Sequence, residues 1–128
     1  SVNSFGIINI SKSWITFLKK NSSRINIVWA KDKSKWNLNK VKKMIKNKTF
    51  YLTVDVDGLD SSIMPATGTP EPGGLLWDET LDIIRIAAKN SKIVGADINE
   101  LSPIKGFNSY NFLVAKLAYK ILSYKFLY

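Results

Sequence analysis

The chain contains no cysteine and no histidine. The first absence excludes disulfides and thiolate metal sites, and it fits a reducing, cytoplasmic setting. The second absence excludes more. No serine–histidine or cysteine–histidine couple can be assembled from these residues. A metal site built here must use oxygen ligands, and carboxylates suit manganese or magnesium better than zinc. There is no run of 18 apolar residues, so no segment is expected to cross a membrane as a helix. The first residues, SVNSFGIINISKSW, lack a basic stretch followed by a long apolar one, so no secretory signal is expected. Proline is scarce, and three of the four prolines (Pro65, Pro70 and Pro72) crowd into one short segment.

Negative charge is also in short supply. Ten acidic residues stand against 19 basic ones, a net charge of +9. Eight lysines fall between Lys31 and Lys48, with Trp36 among them. A basic stripe with an aromatic platform is one reading of that run. The favoured reading is a solvated amphipathic helix, because Val41, Met44 and Ile45 recur at helical spacing. Neither a nucleic acid nor a membrane is therefore expected as a partner.

What is present fits one globular domain over residues 1–128, with enough apolar residues to bury a core. Four short strands are predicted at Phe5–Ile10, Ile25–Trp29, Thr49–Val56 and Ile93–Ile98, from their apolar and β-branched runs. Four helices are predicted at Ser13–Lys20, Leu38–Lys46, Trp77–Lys89 and Ser109–Tyr124, the first capped by Ser11. Alternation of strand and helix predicts an α/β fold with a mostly parallel sheet covered on both faces. Between Asp57 and Leu75 the prolines and glycines forbid regular structure, and so long a loop in a compact domain usually carries function.

The candidate chemistry lies at the carboxyl ends of the strands, where ligand sites of such sheets form. Asp55 and Asp57 are two residues apart, so on a strand both would point to one face. Two carboxylates that close repel one another unless a cation sits between them. Asp60, Thr67, Gly68 and Thr69 follow on the loop. Asp97 and Glu100 stand at the end of the fourth strand, and a single pocket is predicted to gather these groups.

The segment YLTVDVDGLDSSIMPATGTPEPGG, residues 51–74, resembles the carboxyl-terminal signature of the ureohydrolase family of agmatinases and arginases. The likeness lies in its D-x-D, its A-T-G-T-P and its closing G-G. FGIINISKSWITFLKKN is similar to the family's G-I-R-x-x-S strand and helix, and IVGADINELSP to its V-G-x-D-x-x-E-x-S-P strand. YNFLVAKLAYKIL resembles its alanine-rich last helix.

The resemblance implies part of a three-layer α/β/α arginase-like fold. It implies a site for two Mn2+ ions with Asp55 and Asp57 among the ligands. It also implies a substrate guanidinium received by Glu100, with Thr69 close by. The substrate class is a small guanidino molecule hydrolysed to urea and an amine. Glu71 in P-E-P-G-G points to agmatine, giving putrescine in polyamine biosynthesis. Arginine and other guanidino or formimino compounds are the alternative. Family members assemble as trimers or hexamers.

Departures accompany the likeness. Ser61 stands where proline is usual, Ala66 replaces a glycine, and Asn99 interrupts an apolar strand. The family's metal-binding histidine, its D-x-H-x-D strand and its acid–base histidine have no counterpart here. The chain alone is therefore expected to hydrolyse nothing, and a truncated, non-catalytic interaction or oligomerisation module is the second reading. In the family the D-x-H-x-D strand lies between those matching Thr49–Val56 and Phe5–Ile10. Without it those two strands must pair directly or leave open edges.

Overall fold

A computed structural model describes residues 1–8 and 10–128. The strands are β1 (Val2–Ile7), β2 (Ile25–Trp29), β3 (Thr49–Asp55) and β4 (Lys92–Asn99). The helices are α1 (Lys12–Lys20), α2 (Leu38–Ile45), α3 (Trp77–Asn90) and α4 (Asn108–Leu127). The Ser11 hydroxyl accepts from the Trp14 amide to open α1. The Asn37 side chain accepts from the Asn39 amide to open α2. Glu79 reaches back 2.8 Å to the Leu76 amide at the start of α3, satisfying a donor the helix leaves unpaired.

Pairing is parallel throughout, β1 with β2 and β3 with β4. Of the two outcomes expected for β1 and β3, direct pairing or open edges, the described residues show the second, and they form two separate two-stranded sheets. β1 and β3 leave their facing edges open instead of pairing, because a cleft lies between them. The halves are held together underneath, where Val41 and Ile45 of α2 and Ala87 of α3 make one buried cluster against Phe5 and Phe50.

β3 shows why the main core sits where it does. Phe50, Leu52 and Val54 are half-buried while Tyr51, Thr53 and Asp55 are exposed, the period-two pattern of a strand covered on one face. The covered face meets Leu81, Ile84 and Ala88 of α3 and Leu117, Ile121 and Tyr124 of α4. Tyr51 and Val94 remain exposed, and α1 contains no buried residue. The helical layer is thus closed on one face of β3–β4, where coverage of both was expected.

Several element boundaries differ from the sequence reading, among them those of β1 and α4 by three residues. β1 starts at Val2, since the polar Asn3 is accommodated by a cross-strand bond from Asn26 of 3.0 Å. Its expected end at Ile10 runs past Asn9, which lies outside the described residues. A short 3-10 segment at Ala30–Lys35, absent from the prediction, turns β2 toward α2. Within it Lys33 donates to the Gly74 carbonyl and pairs with Glu79 at 3.2 Å. The Trp36 indole that follows donates to the Trp29 carbonyl at 3.0 Å. Trp36 is thereby a packed residue, and α2 buries Val41 and Ile45 as an amphipathic helix should.

Candidate functional site

The loop after β3 has a core of its own. Val56, Leu59, Met64 and Ala66 are each 2% exposed or less, and Leu75 joins them. A Cβ on Gly74 would lie 2.5 Å from the Leu59 carbonyl carbon, so only glycine lets the returning strand of the loop come this close. Asp60 stitches the loop, accepting from the Ser62 amide, the Ser62 hydroxyl at 2.5 Å and the Gly73 amide at 2.7 Å. The Ser62 hydroxyl, then the two amides, hold the Asp60 carboxyl down to about 2. Ser61 uses the amide that a proline would lack, donating to the Glu71 carbonyl at 3.1 Å. The departure at Ser61 therefore adds a bond across the turn.

On that packed loop stand the candidate residues. Asp55 ends β3 and accepts from the Asp57 amide at 2.9 Å. The chain then leaves the strand through a 3-10 turn at Val56–Gly58, anchored by the fully buried Val56. The strand rule that would put both carboxylates on one face thus stops at Asp55. Asp57 is oriented by other means: its carboxylate accepts from the Thr67 hydroxyl, from the Thr69 hydroxyl at 2.5 Å and from the Thr69 amide at 3.4 Å. Burial pushes the Asp57 carboxyl up, but the Thr67 and Thr69 bonds outweigh it and leave the group below its ordinary value.

Asp55, Asp57, Thr69 and Glu71 line one end of the cleft between β1 and β3, whose volume is about 860 Å3. Glu100 is not on that wall. It sits behind Gly68, where a Cβ would be 3.8 Å from its Oε2. Glu100 has a left-handed backbone, φ 67°, which a non-glycine residue adopts only when its surroundings impose it. Thr67 does the imposing: its hydroxyl lies 2.9 Å from the Glu100 carbonyl oxygen, and its backbone bridges to Leu101. The Ser102 amide adds a bond to the Ala66 carbonyl at 2.9 Å. Asp97, expected in the same pocket, instead accepts from Asn99 at 2.6 Å. A bond to Asp97 also raises the Tyr51 hydroxyl pKa.

Thr67 and Asp60 were the residues sequence reasoning undervalued. Asp60–x–Ser62 is a legible Asx turn. The Thr67–Glu100 bond spans 33 residues, and no local pattern announces it.

As a metal site the donor set is incomplete. Among the described residues no three acidic side chains come together to hold an ion. Asp55 and Asp57 are hard ligands suited to Mn2+, but two carboxylates cannot satisfy two ions.

Three comparisons bear on this arrangement. The sequence model of the arginase family matches residues 1–123. An N(1)-aminopropylagmatine ureohydrolase of Synechocystis is 40% identical over 103 residues, covering 78% of this chain and 33% of that protein. The agmatine ureohydrolase of Thermoplasma volcanium superposes with a TM-score of 0.81 at 28% identity, over 97% of this chain and 42% of that one. The proclavaminate amidino hydrolase of Streptomyces clavuligerus gives 0.78 at 26% identity, over 96% and 41%. The chain thus spans a third of the length of the Synechocystis relative.

Proposed function

The chain belongs to the arginase family, and from that premise we propose that it is the carboxyl-terminal portion of a manganese-dependent ureohydrolase that releases urea from an agmatine-like amine. The observation that carries the reading is the gathering of Asp55, Asp57 and Thr69 on one cleft wall at the carboxyl end of β3. Ligand sites of parallel α/β sheets lie at that end.

The roles proposed for these residues follow from their chemistry. Asp55 and Asp57 contribute oxygen ligands to two Mn2+ ions, whose other ligands come from outside these 128 residues. Such ions, when bound, supply a water-derived nucleophile at neutral pH. Thr67 and Thr69 hold the Asp57 carboxylate ionised and aimed. Glu100 receives the cationic guanidinium through charge-assisted hydrogen bonds. The complete protein is a soluble homo-oligomer of three or six copies, acting on a small guanidino substrate in the cytoplasm.

Agmatine is the preferred substrate, together with the aminopropylated derivative that names the Synechocystis relative. The test is a chimera in which this chain replaces the matching third of that relative. Urea release is measured with Mn2+ and, in turn, agmatine, N(1)-aminopropylagmatine and arginine. Activity on the first two is expected, falling to background in Asp55→Asn and Asp57→Asn. Full activity in the double variant would overturn the site assignment, and faster turnover of arginine would overturn the substrate. The 128-residue chain alone is expected to release no urea, since its donor set is incomplete.

A further inference from the structure

The far end of the β3–β4 sheet has a feature that the carboxylate end does not explain. Two turns line one concavity of about 410 Å3 there: Lys46 to Thr49, entering β3, and Lys89 to Lys92, entering β4. Four of these eight residues are lysines, and none is acidic. β3 is about 20 Å long, so the concavity lies a strand's length from Asp55.

The two turns are stitched side by side. The Asn47 amide donates to the Asn90 carbonyl at 2.8 Å, and the Lys92 amide to the Lys48 carbonyl at 2.8 Å. Asn47 has a left-handed backbone, φ 60°, which asparagine tolerates better than most residues. Across that turn Lys46 and Lys48 both reach the concavity. Lysines commonly gather where helices end, because they can bond the last free carbonyls. Here those carbonyls are already taken. On α3 the Asn90 side chain holds that of Ile86 at 2.7 Å, and the Ser91 hydroxyl that of Ala87 at 2.6 Å. On α2 the Lys46 amide holds that of Lys42 at 2.9 Å, and the Lys48 amide that of Ile45 at 3.1 Å.

The ammonium groups are therefore left over. Lys33 pairs with Glu79, and Lys125 donates to the Ile93 carbonyl at 2.6 Å. Among the described residues the side chains of Lys46, Lys48, Lys89 and Lys92 make neither a hydrogen bond nor an ion pair. Lys89 lies over the Tyr128 ring at 4.6 Å, a contact that leaves its charge whole. Four like charges around one concavity repel one another unless an anion sits among them.

We propose that this concavity binds a small polyphosphate, either free or carried by a nucleotide. A triphosphate chain concentrates negative charge in a compact space, as the four lysines concentrate positive charge. Phosphate accepts point charges from several sides, which is how lysine supplies them, whereas planar carboxylates are gripped best by arginine forks. No arginine lines the concavity. No aromatic side chain lines it either, so the bases of a nucleic acid find no platform there. The inference stands apart from the hydrolytic reading, whose residues lie at the other end of β3.

The test titrates the isotopically labelled, metal-free 128-residue chain with sodium triphosphate at ~0.15 M salt, where exposed charges are screened beyond about 8 Å. Amide resonances of residues 46–49 and 89–92 are expected to shift, and those of Asp55 and Asp57 to stay. Lys48→Gln combined with Lys92→Gln should weaken binding about tenfold or more. Lys40→Gln combined with Lys43→Gln removes the same charge from α2 outside the concavity, and should change affinity less than about twofold. All four lysines are exposed, so both double variants keep the fold. Adenosine triphosphate separates the two sources. Equal affinity assigns the site to the phosphate chain itself, tighter binding assigns it to the nucleotide-borne form, and either upholds the site. Equal losses in the two double variants would reveal diffuse attraction and overturn the proposal. So would citrate binding as tightly as triphosphate, a short single-stranded RNA binding more tightly, or no shift up to ~1 mM triphosphate.

Discussion

The Thr67 hydroxyl has one hydrogen and two acceptors in reach, the Asp57 carboxylate and the Glu100 carbonyl. The charged acceptor makes the stronger bond. Thr67 is only 9% exposed, so water cannot readily replace a lost partner. Thr67→Val should therefore cost about 1–3 kcal/mol, the penalty for leaving a buried polar group unpaired. Thr67→Ser keeps the hydroxyl and should recover most of it. Urea denaturation of the 128-residue chain measures both, and equal losses in the two variants would remove the hydroxyl from the account.

Asp60 makes a second prediction at this scale, on pH. Its carboxyl titrates at about 2 in the folded chain against an ordinary 3.8. A depressed carboxyl binds its proton more tightly in the unfolded chain. Its contribution is thus whole above the ordinary value and drains as pH falls through 2. Between those limits the wild-type denaturation midpoint should drop more steeply than that of Asp60→Asn. Parallel curves would show that the Ser62 and Gly73 bonds confer no net stability.

At the scale of elements, much of the fold was legible. Apolar and β-branched runs marked all four strands and helical spacing the helices, of which α2 buries Val41 and Ile45 while α1 buries no residue. The split into two half-sheets was one of two outcomes left open, since no residue within β1 or β3 decides between direct pairing and open edges. In the site, Asp55 was placed correctly by the strand pattern. Asp57 gathered with it through the 3-10 turn and two threonines, a different cause from the one expected. Glu100 was identified but not its place behind Gly68, for the contact joins distant segments.

The loop after β3 yields a prediction of its own. Gly74→Ala meets backbone atoms of Leu59 and Asp60 within 2.7 Å, and backbone cannot swing aside as a side chain can. A loss toward the upper end of about 1–3 kcal/mol is expected from overpacking. Gly73→Ala meets no neighbour and should lose only the left-handed backbone term, about 1–2 kcal/mol. Thermal melts of the two variants should rank in that order, and the reverse ranking would mean the loop shifts to admit the methyl.

At the scale of the whole molecule, burial is lopsided. The main core joins α3, α4, β3 and β4, and the second cluster fills the loop after β3. Before Val41 only Gly6 and Ala30 are buried among the described residues, and α1 buries none of its own. Local opening costs least where few apolar contacts break. The β1–α1–β2 half should therefore open more readily than the β3–α3–β4–α4 half, although both sheets are parallel and two-stranded. Native-state hydrogen exchange tests this directly. Amides of residues 2–7 and 25–29 should exchange through an opening of lower free energy than those of residues 50–55 and 93–98. Equal protection of both sets would mean that the Val41–Ile45–Ala87 cluster couples the halves into one cooperative unit.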